Sequence, residues 1–259
     1  MKGVMFDFSG TLFRIDSTAR WLDGYLAATG LVLDAAERDE LVARLEEFGA
    51  LPGGVPPRTL PAELADAWAI RDLGAAEHRA AYAGLARAAL ARAAEPPTAV
   101  GADASAVTAV DAAASDVAAI DVAAVDADAL YDRHMNPDAW QPYADAGPVL
   151  SELRRRGIPI AVVSNIGWDL RPIFHRHGLD EFVDVYLLSF EFGTQKPEPT
   201  IFQEACDRLG LAPSDVLMVG DDVPADGAAA ALGCAFHRVD HLPVDQRPDG
   251  LRPVLDLLG

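Results

Sequence analysis

Apolar positions change their rhythm twice along the chain. Residues 2–8 (KGVMFDF) form a short apolar run followed by the turn SGT, which predicts a buried strand. Helical spacing of the apolar residues then covers 17–29, 35–48, 61–72 and 75–94, with Pro61 in a first-turn position and LPGGVPPR at 51–58 separating two of the helices. A further helix is expected over 127–135, ended by Asn136-Pro137, since the residue before a proline is driven out of the helical region. From residue 145 short apolar runs alternate with helical ones: helix 146–156, strand 158–164, helix 168–177, strand 183–188, helix 198–209, strand 215–219, helix 224–232, strand 234–239 and a last short helix near 250–258. Apolar strands separated by helices predict a parallel sheet covered on both faces, an α/β Rossmann-like core that residues 2–8 begin and the second half completes.

Residues 95–128 break both rhythms. They are Asp, Ala, Val and Ile with little else, and Asp111, Asp116, Asp121 and Asp126 recur every five residues. Five residues turn a helix by about 140°, so these carboxylates would spiral around it and line no single face. We read the stretch as low-complexity expansion of a surface connection.

Composition narrows the function. The chain has 259 residues, 51% hydrophobic and 24% charged, which excludes wholesale disorder and a fibrous fold and suits one large domain or two modest ones. Lys and Arg number 21 against 40 Asp and Glu, a net charge of −19, which repels a phosphate backbone and an anionic membrane surface alike. Nucleic acid and membrane are therefore not expected partners. No apolar run reaches the roughly 18 residues of a membrane span, and Met1 is not followed by a secretory signal pattern, so a cytoplasmic protein is expected. Cys206, in a helical segment, and Cys234, opening a strand, read as buried thiols more readily than as a disulfide.

In open parallel sheets the reacting groups gather beyond the carboxyl ends of the strands. Those ends carry Asp7 with Ser9-Gly10-Thr11, then Ser164-Asn165, then Lys196-Pro197 in the loop after the third strand, then Asp221-Asp222 and Asp226. Lys196 is notable because the only other lysine is Lys2. A carboxylate, a hydroxyl, one lysine and an acidic pair on one rim suit phosphoryl transfer through an aspartate nucleophile, with a divalent cation between carboxylates.

In order and spacing, DFSGT, VVSN, TQKP and VGDDVPAD resemble the four motifs of the haloacid dehalogenase-like (HAD) superfamily. The resemblance covers the whole chain except 95–128. It implies a HAD-fold core at 1–13 and 141–259 and an inserted helical cap at 14–140. It implies a Mg²⁺-dependent phosphatase acting on a small phosphorylated metabolite, in which Asp7 becomes an aspartyl-phosphate. Ser164 and Asn165, with Gly10 and Thr11, would hold the phosphate, and Lys196 would steady the negative charge. Asp7, the Ser9 carbonyl and Asp221 would bind Mg²⁺, Asp226 would stand behind them, and Asp222 could take either place.

Ser9 departs from the pattern. Family phosphatases carry there an Asp that protonates the leaving oxygen and then activates water, work typically worth roughly 10²–10⁴-fold and beyond a serine hydroxyl. The dehalogenase branch carries an aromatic residue there and lacks an intact acidic fourth motif, and the phosphonatase branch uses a cap lysine that this chain does not have. Three alternatives stand beside ordinary hydrolysis: a slow phosphatase whose substrate supplies its own acid or base, a phosphotransferase, and a non-catalytic or regulatory protein that binds a phosphorylated ligand or a partner. Gly53, Gly54, Arg58, Arg14 and Trp168 are the candidates for substrate choice. His134, His175 and His177 read as structural.

Overall fold

Alternation within the apolar runs decides which face of the sheet each residue covers. In the computed structural model, which describes residues 1–91 and 124–258, β1 (Gly3–Phe6) lies at the centre of a five-stranded parallel sheet. It pairs on one side with β4 (Ile160–Ser164) and on the other with β6 (Val216–Gly220), matching Val4 to Ile160 and to Leu217. The sheet is finished by β5 (Val185–Leu188) beside β4 and β7 (Ala235–Arg238) beside β6. Met5, Ala161, Val163 and Met218 point to one face, where helix α9 (Pro199–Leu209) covers them with Ile201, Phe202 and Cys206. Val4, Phe6, Val162 and Val219 point to the other, against Val149, Leu150 and Leu153 of helix α6 (Ala146–Arg155). This is the expected parallel α/β sheet. Cys206 and Cys234 are both buried free thiols.

The chain leaves and regains the sheet through a short ribbon that the periodicity did not reveal: β2 (Phe13–Ile15) pairs antiparallel with β3 (Trp140–Pro142). Three residues with a proline at the end are too few to register an alternation. Between the two strands lie helices α1 (Thr18–Thr29), α2 (Ala35–Glu47), α3 (Ala65–Ile70), α4 (Ala75–Ala91) and α5 (Ala127–Asp132). Trp21, Leu22, Leu41, Leu45 and Leu85 of these helices join the same continuous core as Val4 and Phe6.

Several boundaries differ from expectation. The helix expected over 61–72 is three pieces, α3 flanked by 3-10 turns at Ala62–Leu64 and Arg71–Leu73, the second ending where Gly74 becomes extended. The helix expected over 168–177 is only α7 (Arg171–Arg176), because residues 168–170 belong to the loop that leaves the carboxyl end of β4. The one expected over 224–232 is α10 (Val223–Asp226) followed by a 3-10 segment through Leu232. A further turn of helix, α8 (Ser189–Phe192), follows β5, and α11 (Val254–Leu257) closes the chain. Of the low-complexity stretch, residues 95–123, with Asp111, Asp116 and Asp121, lie outside the described residues. Its last residues belong to the packed fold: Val125 and Ala127 are buried, and the Asp126 side chain caps α5 by accepting from the Asp128 and Ala129 N–H groups.

Candidate active site at the strand ends

The strand order reverses at β1, since β4 and β5 extend to one side and β6 and β7 to the other. A crevice opens beyond the carboxyl ends at such a switch point. Asp7 follows β1, its N–H still donating to the Val219 carbonyl of β6 at 2.9 Å. Its side chain meets Lys196, whose Nζ donates to Asp7 Oδ1 at 2.7 Å and to Asp226 Oδ1 at 2.5 Å. All three side chains are buried. Burial opposes the Lys196 charge, but Asp226 and Asp7 outweigh it and hold the amine protonated above its ordinary value. Burial pushes Asp7 the other way, up to about 8, with Asp226 and Asp221 adding to the rise and Lys196 resisting it.

Asp7, Asp221 and Asp226 each bring a carboxylate oxygen within 4.8 Å of the others'. One ammonium among three carboxylates leaves negative charge uncompensated in a dry place, which a hard divalent cation with oxygen ligands would relieve. The carboxylates are not equally free for it. Asp226 spends one oxygen on Lys196 and the other on the Asp222 N–H at 3.0 Å. Asp221 accepts from the Thr11 hydroxyl at 3.3 Å and pairs with His241, which brings its pKa below the ordinary value although burial works the other way. Asp222 accepts from the Ala225 N–H and so caps α10.

The structure draws most of the remaining sequence candidates into one cleft of about 250 Å³, lined by Asp7, Ser9, Ser164, Asn165, Lys196, Asp221, Asp222 and Asp226. Gly10 and Thr11 stand behind it. Gly10 has φ +85°, and a Cβ there would lie 2.5 Å from Asp221 Oδ2. Its carbonyl and that of Thr11 both accept from the buried Arg247, whose guanidinium stacks on the Tyr143 ring. Asn165 lines the cleft, yet both ends of its amide are used: Nδ2 donates to the Lys196 carbonyl at 2.8 Å and Oδ1 accepts from the Lys196 N–H at 2.7 Å. It seats the Lys196 loop.

The other wall comes from the inserted helices and from Trp140 at the ribbon. Gly53 and Gly54 line it, as does Trp168 from the loop after β4, while Arg14 and Arg58 are not among the lining residues. Arg71, Asp72, His78 and Tyr82 complete it, and the sequence had singled out none of the four. Arg71 stacks on Trp68, donates to the Trp68 carbonyl at 2.7 Å and lies 3.4 Å from Asp72. His78 shares a 2.7 Å hydrogen bond with the Tyr131 hydroxyl, and burial, with His134 and Arg71 nearby, lowers its pKa to about 2. His134 is buried as expected of a structural residue. His175 and His177 lie outside the cleft.

The haloacid dehalogenase-like hydrolase model matches residues 1–233. The chain belongs to the haloacid dehalogenase-like hydrolase family. This hydrolase is 39% identical over 100 residues to haloacid dehalogenase-like hydrolase domain-containing protein 3 of Mus musculus, covering 39% of the present chain and 40% of the mouse protein. It is 37% identical over 91 residues to phosphoserine phosphatase of Thermus thermophilus, covering 35% of this chain and 36% of that one. The matches thus span about two fifths of these relatives or less. The fold is shared with a HAD phosphatase from Thermococcus onnurineus (TM-score 0.52, 20% identity, 93% of this chain and 86% of that one) and with L-2-haloacid dehalogenase from Xanthobacter autotrophicus (TM-score 0.57, 20% identity, 100% and 84%). Among the described residues, no helix of the hydrolase is long and apolar enough to cross a membrane.

Proposed function

We propose that the protein hydrolyses small phosphorylated metabolites through an aspartyl-phosphate on Asp7, with residues 14–140 acting as a cap over a core of 1–13 and 141–259. The observation that carries this reading is the buried ion network in which Lys196 holds Asp7 and Asp226 together while Asp221 faces them. Asp7 bonds Lys196 through Oδ1, Asp221 faces it from Thr11 and His241, and the two would hold Mg²⁺ with the Ser9 carbonyl, Asp226 and Asp222 standing behind. The ion would neutralise phosphate charge as the phosphoryl group moves. Lys196 fixes the Asp7 carboxylate and lends its charge to the phosphoryl oxygens. The Ser164 hydroxyl, at the end of β4 and only 2% exposed, would donate to another of those oxygens. Asn165 contributes through Lys196, and Gly10 and Thr11 through Asp221, while Arg247 braces the Gly10 and Thr11 carbonyls from behind. The acidic cluster separates this chemistry from dehalogenation, which needs no metal.

A phosphate-release screen over metabolite esters in Mg²⁺ tests the reading. Turnover that disappears in chelator and in Asp7→Asn is expected. Turnover persisting in either would remove the mechanism, and an inert protein that still binds a phosphorylated ligand would favour a regulatory role.

A further inference from the structure

Ser9 leaves the proposed reaction without a group to move protons, and the cleft contains a carboxyl that no other interaction claims in full. Five Asp residues line it. Asp7, Asp221 and Asp226 form the cluster and Asp222 caps α10. Asp72 remains, and it comes from the inserted helices. The other titratable groups in the cleft are occupied: His78 is neutral with Nδ1 bound to Tyr131, burial pushes Tyr82 up to about 12, Lys196 is held by two carboxylates, and His241 pairs with Asp221.

Resting on the phosphatase reading, we propose that Asp72 is the general acid and base of this enzyme, replacing from the cap the carboxyl that the first motif lacks at Ser9. Its main chain is bolted to the core. The Ser189 hydroxyl, fully buried at the start of α8, donates to the Asp72 carbonyl and is shared with the Ile166 carbonyl at 3.1 Å, while Ile166 N–H donates back to it at 2.8 Å. The loop that follows Ser164 therefore sets the position of Asp72. A rigid mount of this kind is what proton transfer to a reacting atom requires. Burial raises the Asp72 pKa, with Arg71 and Lys196 drawing it back, which suits a group that must be protonated at one step and ionised at the next.

The steps balance. As an Asp7 oxygen bonds to phosphorus, the phosphorus–ester oxygen bond breaks, its electron pair goes to that oxygen, and the oxygen takes the Asp72 proton to leave as an alcohol. The Asp72 carboxylate, beside Arg71, then accepts a proton from the water that attacks the aspartyl-phosphate. The bond to Asp7 breaks with its electrons returning to the carboxylate, inorganic phosphate forms, and Asp72 is again protonated.

The test uses the full chain in Mg²⁺ with glycerol phosphate, which has a poor leaving group, and para-nitrophenyl phosphate, which has a good one. In Asp72→Asn, glycerol phosphate turnover should fall by about 10²-fold or more. Para-nitrophenyl phosphate should still give a stoichiometric burst followed by slow turnover, with phosphorylated Asp7 accumulating by mass spectrometry. Formate should restore at least tenfold of the lost rate to Asp72→Ala, and Asp72→Glu should retain more activity than Asp72→Asn. Unchanged turnover, or equal loss with both esters without burst or rescue, overturns the role of Asp72 and leaves the phosphatase reading standing. A wild-type protein inert toward every ester overturns both.

Discussion

The two walls of the cleft are built on opposite terms. On the strand-end wall every charged group has a partner: Lys196 spans Asp7 and Asp226, Asp222 N–H completes Asp226, and Thr11 and His241 hold Asp221. On the facing wall, built from the inserted helices and the loop after β4, buried donors are left over, with Arg71 Nε and Trp168 Nε1 both lacking a partner although they border the cavity. An unpaired buried donor costs roughly 1–3 kcal/mol, so such groups persist where something else completes them. The difference teaches that the strand-end network is complete in itself, whereas the facing wall keeps buried donors without partners; under the proposed function that wall would meet the remainder of the substrate.

The sharpest break of that comparison removes the proposed nucleophile. Asp7→Asn should lower turnover by more than about 10³-fold, and Asp221→Asn should raise the Mg²⁺ concentration needed for whatever turnover remains. Both are read from phosphate release over a Mg²⁺ titration, and a wild-type rate in Asp7→Asn would dismiss the covalent route. Next comes Lys196→Met. Removing the cation leaves two buried carboxylates facing one another, a break that typically costs about 3–5 kcal/mol. The melting midpoint should fall by about ten degrees and turnover should collapse with it; an unchanged midpoint would mean the network is not as dry as its burial implies.

Much of the strand-end wall was legible in the sequence because its chemistry sits at positions the topology dictates. Once the apolar runs are read as parallel strands, Asp7, Ser164 and Asp221 fall at their carboxyl ends by counting. Less visible was what each polar side chain does there. Asn165 looks like a ligand for phosphate, but its amide is consumed by the Lys196 main chain, a contact across 31 residues that no local pattern announces. The cap wall was mostly hidden. Arg71 and Asp72 lie in the run AIRDLG, which reads as an ordinary exposed helix end. They matter because the helix breaks into a 3-10 turn there and Ser189, 117 residues away, captures Asp72. Arg247 was equally silent in the tail, although its contacts with Gly10 and Thr11 brace the first motif from behind.

A smaller effect concerns the junction between the walls. His134 is fully buried and His78 nearly so, and burial lowers their pKa values to about 3 and about 2. Between these values and the ordinary one near 6.5, the unfolded chain binds protons that the folded chain refuses, so stability rises with pH and falls on acidification. At pH 4.5 the loss is about 2–3 kcal/mol for a fully buried histidine. Asp7 and Asp72, raised by burial, act in the opposite sense, because there the folded state holds the proton more tightly. The histidine contribution is therefore isolated by difference: the drop in melting midpoint from pH 7 to 4.5 should shrink in His134→Gln. An equal drop in both proteins would show that protonation of His134 is not resisted by the fold.

The smallest expected effect addresses how closely the cap wall meets the strand ends. Gly53 has φ +74°, and a Cβ there would lie 2.7 Å from the Trp140 ring and 3.1 Å from Ser9 Oγ. Gly30, after α1, has nearly the same φ, +73°, but a Cβ there meets nothing within 4 Å. Alanine at either position incurs the left-handed penalty of about 1–2 kcal/mol, or a few degrees of melting midpoint. Only Gly53→Ala also presses a methyl group against Trp140, which is fully buried and has no room to yield, and against Ser9, two residues after Asp7. Gly30→Ala should therefore melt a few degrees lower with unchanged KM. Gly53→Ala should melt lower still and raise KM severalfold, more for bulky esters than for small ones. Equal kinetics in the two variants would mean that the Gly53 loop does not bear on the substrate, and that the cap wall begins at Arg71 and Asp72.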